Sequence, residues 1–312
     1  MSRIHDALRR AEEERIAGTV PEPVTDALPL PQGGIPASYA DAVLAEPGPS
    51  ASLHLDNAGD FPSTAESFLS RLRQPSWTPD MQKLLFMNGN SHISVGTEEF
   101  RTLRARLYQA RTKRPVKTIL IASAMPGEGK SFVSANLAQV LARQQGRRTL
   151  LIDADLRWSR LHTMFGAPSG PGLTEYLASE ADEQQIIQRS SNENFFFIPG
   201  GRAASNPAEL ITNGRLKLLL DRLGPMFSWI VFDTPPAVPV SDASRMAELC
   251  DGVVLVVSAG VTAFDVAQKA RQEFKDKPVL GVVLNRVAPK TTYSAYYYSS
   301  YERERSKHAE KN

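Results

Sequence analysis

Residues 118–131, TILIASAMPGEGKS, leave this chain few architectures to choose from. Thr118 to Ile121 is β-branched and aliphatic throughout, the signature of a strand buried on both faces. Ala122 to Gly129 is a small-residue turn with proline and glycine. Lys130-Ser131 then opens an apolar-periodic segment (Phe132, Val133, Leu137, Val140, Leu141) that predicts a helix. Strand, glycine turn, Lys-Ser and helix together describe a phosphate-binding loop, in which backbone N–H groups and a helix N-terminus face an anion. The pattern G-x-x-x-x-G-K-[ST] is met except at its first glycine, where Ala124 stands. The loop assigns Pro126, Gly127, Glu128, Gly129, Lys130, Ser131 and Phe132 to nucleotide binding, with Lys130 reaching the β/γ-phosphates and the Ser131 hydroxyl offered to Mg²⁺.

The rest of the chain fits that start. Thr149 to Ile152 reads as a second strand ending in Asp153-Ala154-Asp155, and period-2 alternation puts both carboxylates on one face of the strand's carboxyl end. Open α/β sheets bind ligands at that end, and two neighbouring carboxylates there call for a shared cation or proton. Phe195 to Pro199 predicts a third strand, and Asn206-Pro207 a helix start. Trp229 to Phe232 is a fourth strand, ending in Asp233-Thr234-Pro235-Pro236, where a carboxylate is placed to bind Mg²⁺ directly or through water. Ser241-Asp242 and Thr262–Asp265 read as helix caps. Gly252 to Val257 and Val279 to Leu284 are two further strands, the last ending at Asn285-Arg286. Asn285 is placed either to read a nucleobase edge or to form a turn. Apolar strands alternating with helices predict a parallel β-sheet with helices on both faces.

The flanks are different in kind. Residues 1–17 carry Ile4, Leu8 and Ala11 at helical spacing, a short amphipathic helix that is either solvated or a docking peptide. Residues 18–80 are rich in proline, alanine, glycine and serine and read as a disordered linker, with a short helix near Ala65–Leu72. The folded domain is expected over 81–290. Within it, Glu98, Arg101 and Arg104 share one side of a helix, as intrahelical ion pairs or as a subunit contact. The tail, 291–312, holds Tyr293, Tyr296, Tyr297, Tyr298 and Tyr301, five of the chain's eight tyrosines. No aliphatic core residues accompany them, and phenol hydroxyls beside a nucleotide site suggest phosphoryl acceptors.

Bulk properties narrow the class. A net charge of +2 over 312 residues gives no pull toward nucleic acid. The single cysteine, Cys250, rules out an intrachain disulfide and sits among apolar neighbours, as a packed thiol would. No apolar run approaches the ~18 residues of a membrane span, and the charged N-terminus is no secretory signal, so a cytoplasmic protein is expected.

Taken together, SAMPGEGKS (123–131), LLIDADLR (150–157), IVFDTPP (230–236), the Glu98/Arg101/Arg104 helix, NPAEL (206–210) and the tyrosine cluster resemble the bacterial tyrosine kinases that control capsule and exopolysaccharide synthesis, in their stand-alone kinase-subunit form. The resemblance covers residues 94 to 301. It implies ATP and Mg²⁺ as cofactors and a ring-shaped homo-oligomer joined through Glu98, Arg101 and Arg104. It implies autophosphorylation in trans on the tail tyrosines. It also implies a transmembrane polysaccharide co-polymerase that activates the kinase and recruits it to the inner membrane face, and a cognate tyrosine phosphatase. In this reading Lys130 neutralises developing charge and Ser131, Asp155 and Asp233 position Mg²⁺. Asp153 takes the tyrosine proton, and the roles of Asp153 and Asp155 are interchangeable at this level. Partition and septum-placement ATPases share the loop, but usually carry a lysine near its start where this chain has Met125. A nucleotide switch without kinase activity and a non-catalytic protein are the alternatives. The four intact residues Lys130, Asp153, Asp155 and Asp233 argue against the second.

Overall fold

A computed structural model describes residues 65–86 and 95–288. The expected helix at 1–17, most of the expected linker and the tyrosine tail lie outside the described residues.

The first described element, α1 (Ala65–Ser70), precedes α2 (Val95–Lys113). Six strands follow the sequence reading closely: β1 (Thr118–Ser123), β2 (Thr149–Asp153), β4 (Phe195–Ile198), β5 (Trp229–Asp233), β6 (Gly252–Ser258) and β7 (Val279–Asn285). A two-residue β3 (Gln188–Arg189) joins them. The sheet order is β3-β4-β2-β5-β1-β6-β7, parallel except for β3, which runs antiparallel to β4. Strands β1, β2 and β5 are buried at every position, which is why their sequences are continuously apolar rather than alternating. The helices on the sheet are α3 (Lys130–Ala142), α4 (Leu161–Phe165), α5 (Leu173–Leu177), α6 (Glu183–Ile186), α7 (Pro207–Thr212), α8 (Arg215–Leu223), α9 (Asp242–Ala247) and α10 (Phe264–Gln272).

Each sheet face has its own core. One packs α3 against Ile119, Ile121, Leu151, Val231 and Val254, and includes Phe100 and Leu107 of α2. The other packs Leu120, Leu150, Ile152, Ile230 and Phe232 against Leu216, Leu219 and Met246. Cys250 belongs to this second core, where burial pushes its thiol above the ordinary range, so it is the packed thiol expected.

Two expectations need correcting. Residues 65–80 are part of the folded unit rather than linker: Phe68, Leu69 and Leu72 are buried in the second core. The Trp77 ring stands 5.4 Å from Phe165 and 5.9 Å from Phe195. A few large apolar side chains order this stretch despite its proline and serine content. The caps also differ. Asn206 occupies the N-cap of α7 but its amide contacts Glu209, and the N-cap of α10 is Ala263, leaving the Thr262 hydroxyl for a partner elsewhere.

Deleting residues 1–80 is therefore expected to destabilise the protein far more than deleting 1–64. Each buried apolar side chain contributes about 1.5–3 kcal/mol, so losing the buried Phe68, Leu69 and Leu72 together with the half-buried Trp77 should lower the melting temperature by roughly 10 °C or more. Thermal unfolding of the two deletions checks this; equal melting temperatures would show that the segment adds nothing.

Candidate nucleotide and phosphoryl-transfer site

The site is built at the carboxyl ends of the three central strands, β2, β5 and β1. The turn after β1 carries two glycines at positive φ, Gly127 at 82° and Gly129 at 93°. The φ of Gly129 is one that L side chains rarely adopt, and a Cβ there would also displace the Asn285 amide, whose Nδ2 would lie 2.1 Å away, so glycine is required. Gly129 is the N-cap of α3, and no side chain caps that helix. Its first N–H groups are thus open to an anion, and the helix dipole favours one. This is the geometry a phosphate group needs.

The loop is held in shape by Glu128. Its Oε2 accepts a hydrogen bond from the Met125 N–H at 2.7 Å, and its Oε1 accepts one from the Thr262 hydroxyl. The Glu128 carbonyl accepts from Asn285 Nδ2 at 2.9 Å. Glu128 is only 4% exposed, so its carboxylate serves the loop rather than a ligand. Asn285 is likewise engaged in bracing the loop from the tip of β7. Of the other residues assigned to nucleotide binding, Pro126 is exposed on the turn, while Phe132 packs 5.8 Å from Phe100, leaving its backbone at the helix start.

Four charged groups converge beyond the loop. Lys130 Nζ lies 3.6 Å from Asp155 Oδ2. Asp153 and Asp233 are register partners on β2 and β5. The Ser134 hydroxyl sits 3.0 Å from Asp233 Oδ1, and the Ser131 hydroxyl also supports that carboxylate. Burial raises the Asp233 pKa, with Lys130 and the two serines opposing the rise.

Asp153 is fully buried, and its Oδ2 accepts from Ser159 Oγ at 2.7 Å, Arg160 N–H at 3.1 Å and Leu161 N–H at 3.0 Å. Burial first, then the neighbouring Asp233 charge, pushes its pKa up to about 7 despite those donors. The expected common face for Asp153 and Asp155 is not what forms. Strand β2 ends at Asp153, so strand alternation stops there. Asp153 turns into the 159–161 loop, while Asp155 faces Lys130 and accepts from the Trp158 N–H at 3.0 Å. The 153–157 loop is pinned from outside by Arg157, whose guanidinium makes a two-point ion pair with the buried Asp242 (2.7 and 3.2 Å).

Lys130 is outnumbered by the three carboxylates around it. Among the described residues, no cluster of three or more acidic, His or Cys side chains is assembled as a ready metal cage. The donors present, one hydroxyl and two carboxylates, are hard oxygen ligands. They fit Mg²⁺, which usually binds through one or two carboxylates together with phosphate oxygens and water.

Glu98, Arg101 and Arg104 lie on α2, away from these strand tips in sequence and on the α3 side of the sheet. Glu98 and Arg101 pair with each other. Arg104 Nη1 donates to the Val140 carbonyl at 3.0 Å and ties α2 to α3. The five tail tyrosines lie outside the described residues. Among the described residues, no helix is long and apolar enough to cross a membrane.

Ser134, Ser159, Thr262 and Asp242 support the site without having been legible as site residues. Asp242 and Thr262 were legible only as helix caps, Ser134 and Ser159 belong to no motif, and all but Ser159 act on groups far from them in sequence.

Residues 119–307 match the family model described as the CobQ/CobB/MinD/ParA nucleotide binding domain. The tyrosine-protein kinase YwqD of Bacillus subtilis is 39% identical over 195 residues, covering 62% of this chain and 81% of that one. The tyrosine-protein kinase CpsD of Streptococcus agalactiae is 34% identical over 221 residues, covering 69% of this chain and 95% of that one. Against the tyrosine-protein kinase etk of Escherichia coli the chain spans only 32% of the relative's length, at 31% identity. Among solved structures, the kinase domain of the Escherichia coli tyrosine kinase ETK superposes with a TM-score of 0.64 at 29% identity, covering 73% of this chain and 88% of that one.

Proposed function

Because this chain belongs to the CobQ/CobB/MinD/ParA nucleotide-binding family, among the bacterial tyrosine-protein kinases, we propose that it transfers the γ-phosphoryl group of ATP to tyrosines of its own tail. The observation that carries this is the convergence of Lys130, Asp155 and the buried Asp153 and Asp233 beside an uncapped helix N-terminus.

Phosphoryl transfer asks a protein mainly for positioning and charge stabilisation. The backbone of Gly127 to Ser131 would hold the phosphates, and Lys130 would offset charge growing on the β/γ oxygens. Ser131, Asp155 and Asp233 would hold Mg²⁺, which when bound neutralises phosphate charge. A tyrosine oxygen bonds to the γ-phosphorus as the bond from that phosphorus to the bridging oxygen of ADP breaks. The phenol proton passes to Asp153. A phenol with pKa near 10 is a weak nucleophile at neutral pH, so a carboxylate beside it that takes the proton is useful. In this reading Asp155, turned to Lys130, goes with the metal and Asp153 takes the proton.

The acceptors in this proposal are Tyr293, Tyr296, Tyr297, Tyr298 and Tyr301. The oligomer is a ring joined through Glu98, Arg101 and Arg104, whose Glu98–Arg101 pair would be exchanged for contacts to a neighbour. The wider setting is the one the sequence resemblance implies: a membrane-bound polysaccharide co-polymerase as activator, control of capsule or exopolysaccharide export, and a phosphatase that resets the tail. Intact-mass measurement after incubation with ATP and Mg²⁺, with and without the five tail tyrosines changed to Phe, tests the central step. Multiple phosphate additions are expected in the first case only.

Each phosphotyrosine adds about −1.5 to −2 charges. Several on one tail repel each other and the three aspartates, so full phosphorylation is expected to break the ring into smaller species. Sedimentation of the phosphorylated and unphosphorylated forms checks this, and identical profiles would remove the idea.

A further inference from the structure

The acidic centre is bordered by exposed apolar side chains that phosphate binding does not use. Each of the three loops that build the site presents one. Met125, on the turn after β1, is 42% exposed; Trp158, after β2, is 68% exposed; Val238, after β5, is 38% exposed. Their placement follows from the sheet, because β2, β5 and β1 are consecutive neighbours. Val238 is tied to the first of these loops by its N–H bond to the Ala124 carbonyl (3.3 Å), next to Met125. Trp158 is anchored by its own N–H on Asp155, the carboxylate that meets Lys130. The Arg160 guanidinium stands 4.9 Å from the centre of the Trp158 ring. Arg160 also donates its N–H to Asp153, so the loop that fixes the base displays the indole.

Apolar surface beside a highly charged site is poorly placed for an enzyme whose acceptor is water. It suits an acceptor that is itself an aromatic ring with one polar end, since such rings stack on apolar and aromatic surface while the hydroxyl stays in the polar centre. We propose that Met125, Val238 and Trp158 form the platform that seats the acceptor phenol, with Trp158 the residue that selects tyrosine. The occupant is the 291–301 segment of this chain, TTYSAYYYSSY, whose only large apolar groups are its tyrosine rings. Its starting point supports this. Asn285 of β7 touches the phosphate loop, and residues beyond 288 continue from there. Strands lie about 4.8 Å apart, so β2 is roughly 19 Å from β7 across the sheet, while each extended residue reaches about 3.3 Å. Tyr293 to Tyr301 are within range of the platform from the same chain, and a neighbouring copy can supply them equally.

This inference rests on the kinase reading, and its test is separable from it. In full-length protein with the five tail tyrosines changed to Ala, a fluorescein-labelled peptide of residues 289–305 is titrated in the presence of Mg²⁺ and a non-hydrolysable ATP analogue. Fluorescence anisotropy reads its Kd. Trp158→Ala is expected to weaken peptide binding about tenfold or more, in line with losing an aromatic anchor. Trp158→Phe should restore most of it, and a peptide with Ala at every tyrosine should not bind. Affinity for a fluorescent ATP analogue should stay within about twofold in both variants, which also reports that they are folded. Equal peptide affinity in wild type and Trp158→Ala, no measurable peptide binding to the wild type, or equal binding of the tyrosine-free peptide overturns the platform. Absence of phosphate transfer to the tail in the unmodified protein would instead sink the kinase reading.

Discussion

Lys130→Met is expected to abolish tail phosphorylation, with the rate of phosphate incorporation falling at least a hundredfold. The lysine is 12% exposed at its side chain, lies 3.6 Å from Asp155 and also acts on the Asp233 carboxylate. Its charge is the one cation among the groups that converge on the phosphate side of the site. Preorganised charge of this kind commonly accounts for factors of about 10² to 10³ in rate. Methionine keeps the apolar stem at the start of α3 but leaves Asp155 and Asp233 without their cation, so the melting temperature of the nucleotide-free protein should fall somewhat at neutral pH. Nucleotide affinity should also fall, because Lys130 contacts the same phosphates before and during transfer, but by less than the rate. The measurement is intact mass against time, with a fluorescent ATP analogue for affinity. Phosphate incorporation that survives in Lys130→Met would mean that the transfer does not run through this loop.

Why the sequence revealed the site's parts but not its assembly can be traced to particular residues. Strands such as Thr149–Asp153 and Trp229–Asp233 are buried on both faces, so their composition alone marks them, and the aspartates at their ends mark the site. The two-residue β3 has neither length nor pattern: Gln188-Arg189 is polar and pairs with Phe196 and Phe197 through backbone alone. Phe68, Leu69, Leu72 and Trp77 were hidden by the prolines and serines around them, since composition averages over windows while packing depends on individual side chains. The Glu128–Thr262 contact joins the phosphate loop to a turn on the far side of β6, and no local rule connects residues so distant in the chain. The relative orientation of Asp153 and Asp155 follows no strand rule, because strand periodicity holds only while the strand lasts and β2 stops at Asp153, two residues before Asp155.

That orientation leads to the second large effect. Asp153→Asn is expected to lower the transfer rate about 10²- to 10⁴-fold, the usual worth of a positioned base, while leaving nucleotide affinity nearly unchanged. Asparagine can still accept from Ser159 Oγ, Arg160 N–H and Leu161 N–H through its carbonyl oxygen, so the 159–161 loop should keep its place, at the cost of the long bond that the Asp155 N–H makes to Oδ1 (3.3 Å). The same substitution should act on stability with a definite sign. Burial raises the Asp153 pKa from 3.8 to about 7 in the folded protein, so the native state binds more protons than the unfolded chain between those values. Stability from this group is therefore undiminished below about pH 4, declines as pH rises, and is fully lost above about 7, a cost of at most about 4 kcal/mol. Asparagine carries no such charge. Without nucleotide or Mg²⁺, the Asp153→Asn protein should melt several degrees above wild type at pH 8 and show little or no advantage at pH 4 to 5. Thermal unfolding at the two pH values, paired with the rate measurement, reads both halves. Equal melting differences at the two pH values would mean that Asp153 does not titrate between them, and a variant that keeps its transfer rate would mean that Asp153 is not the base.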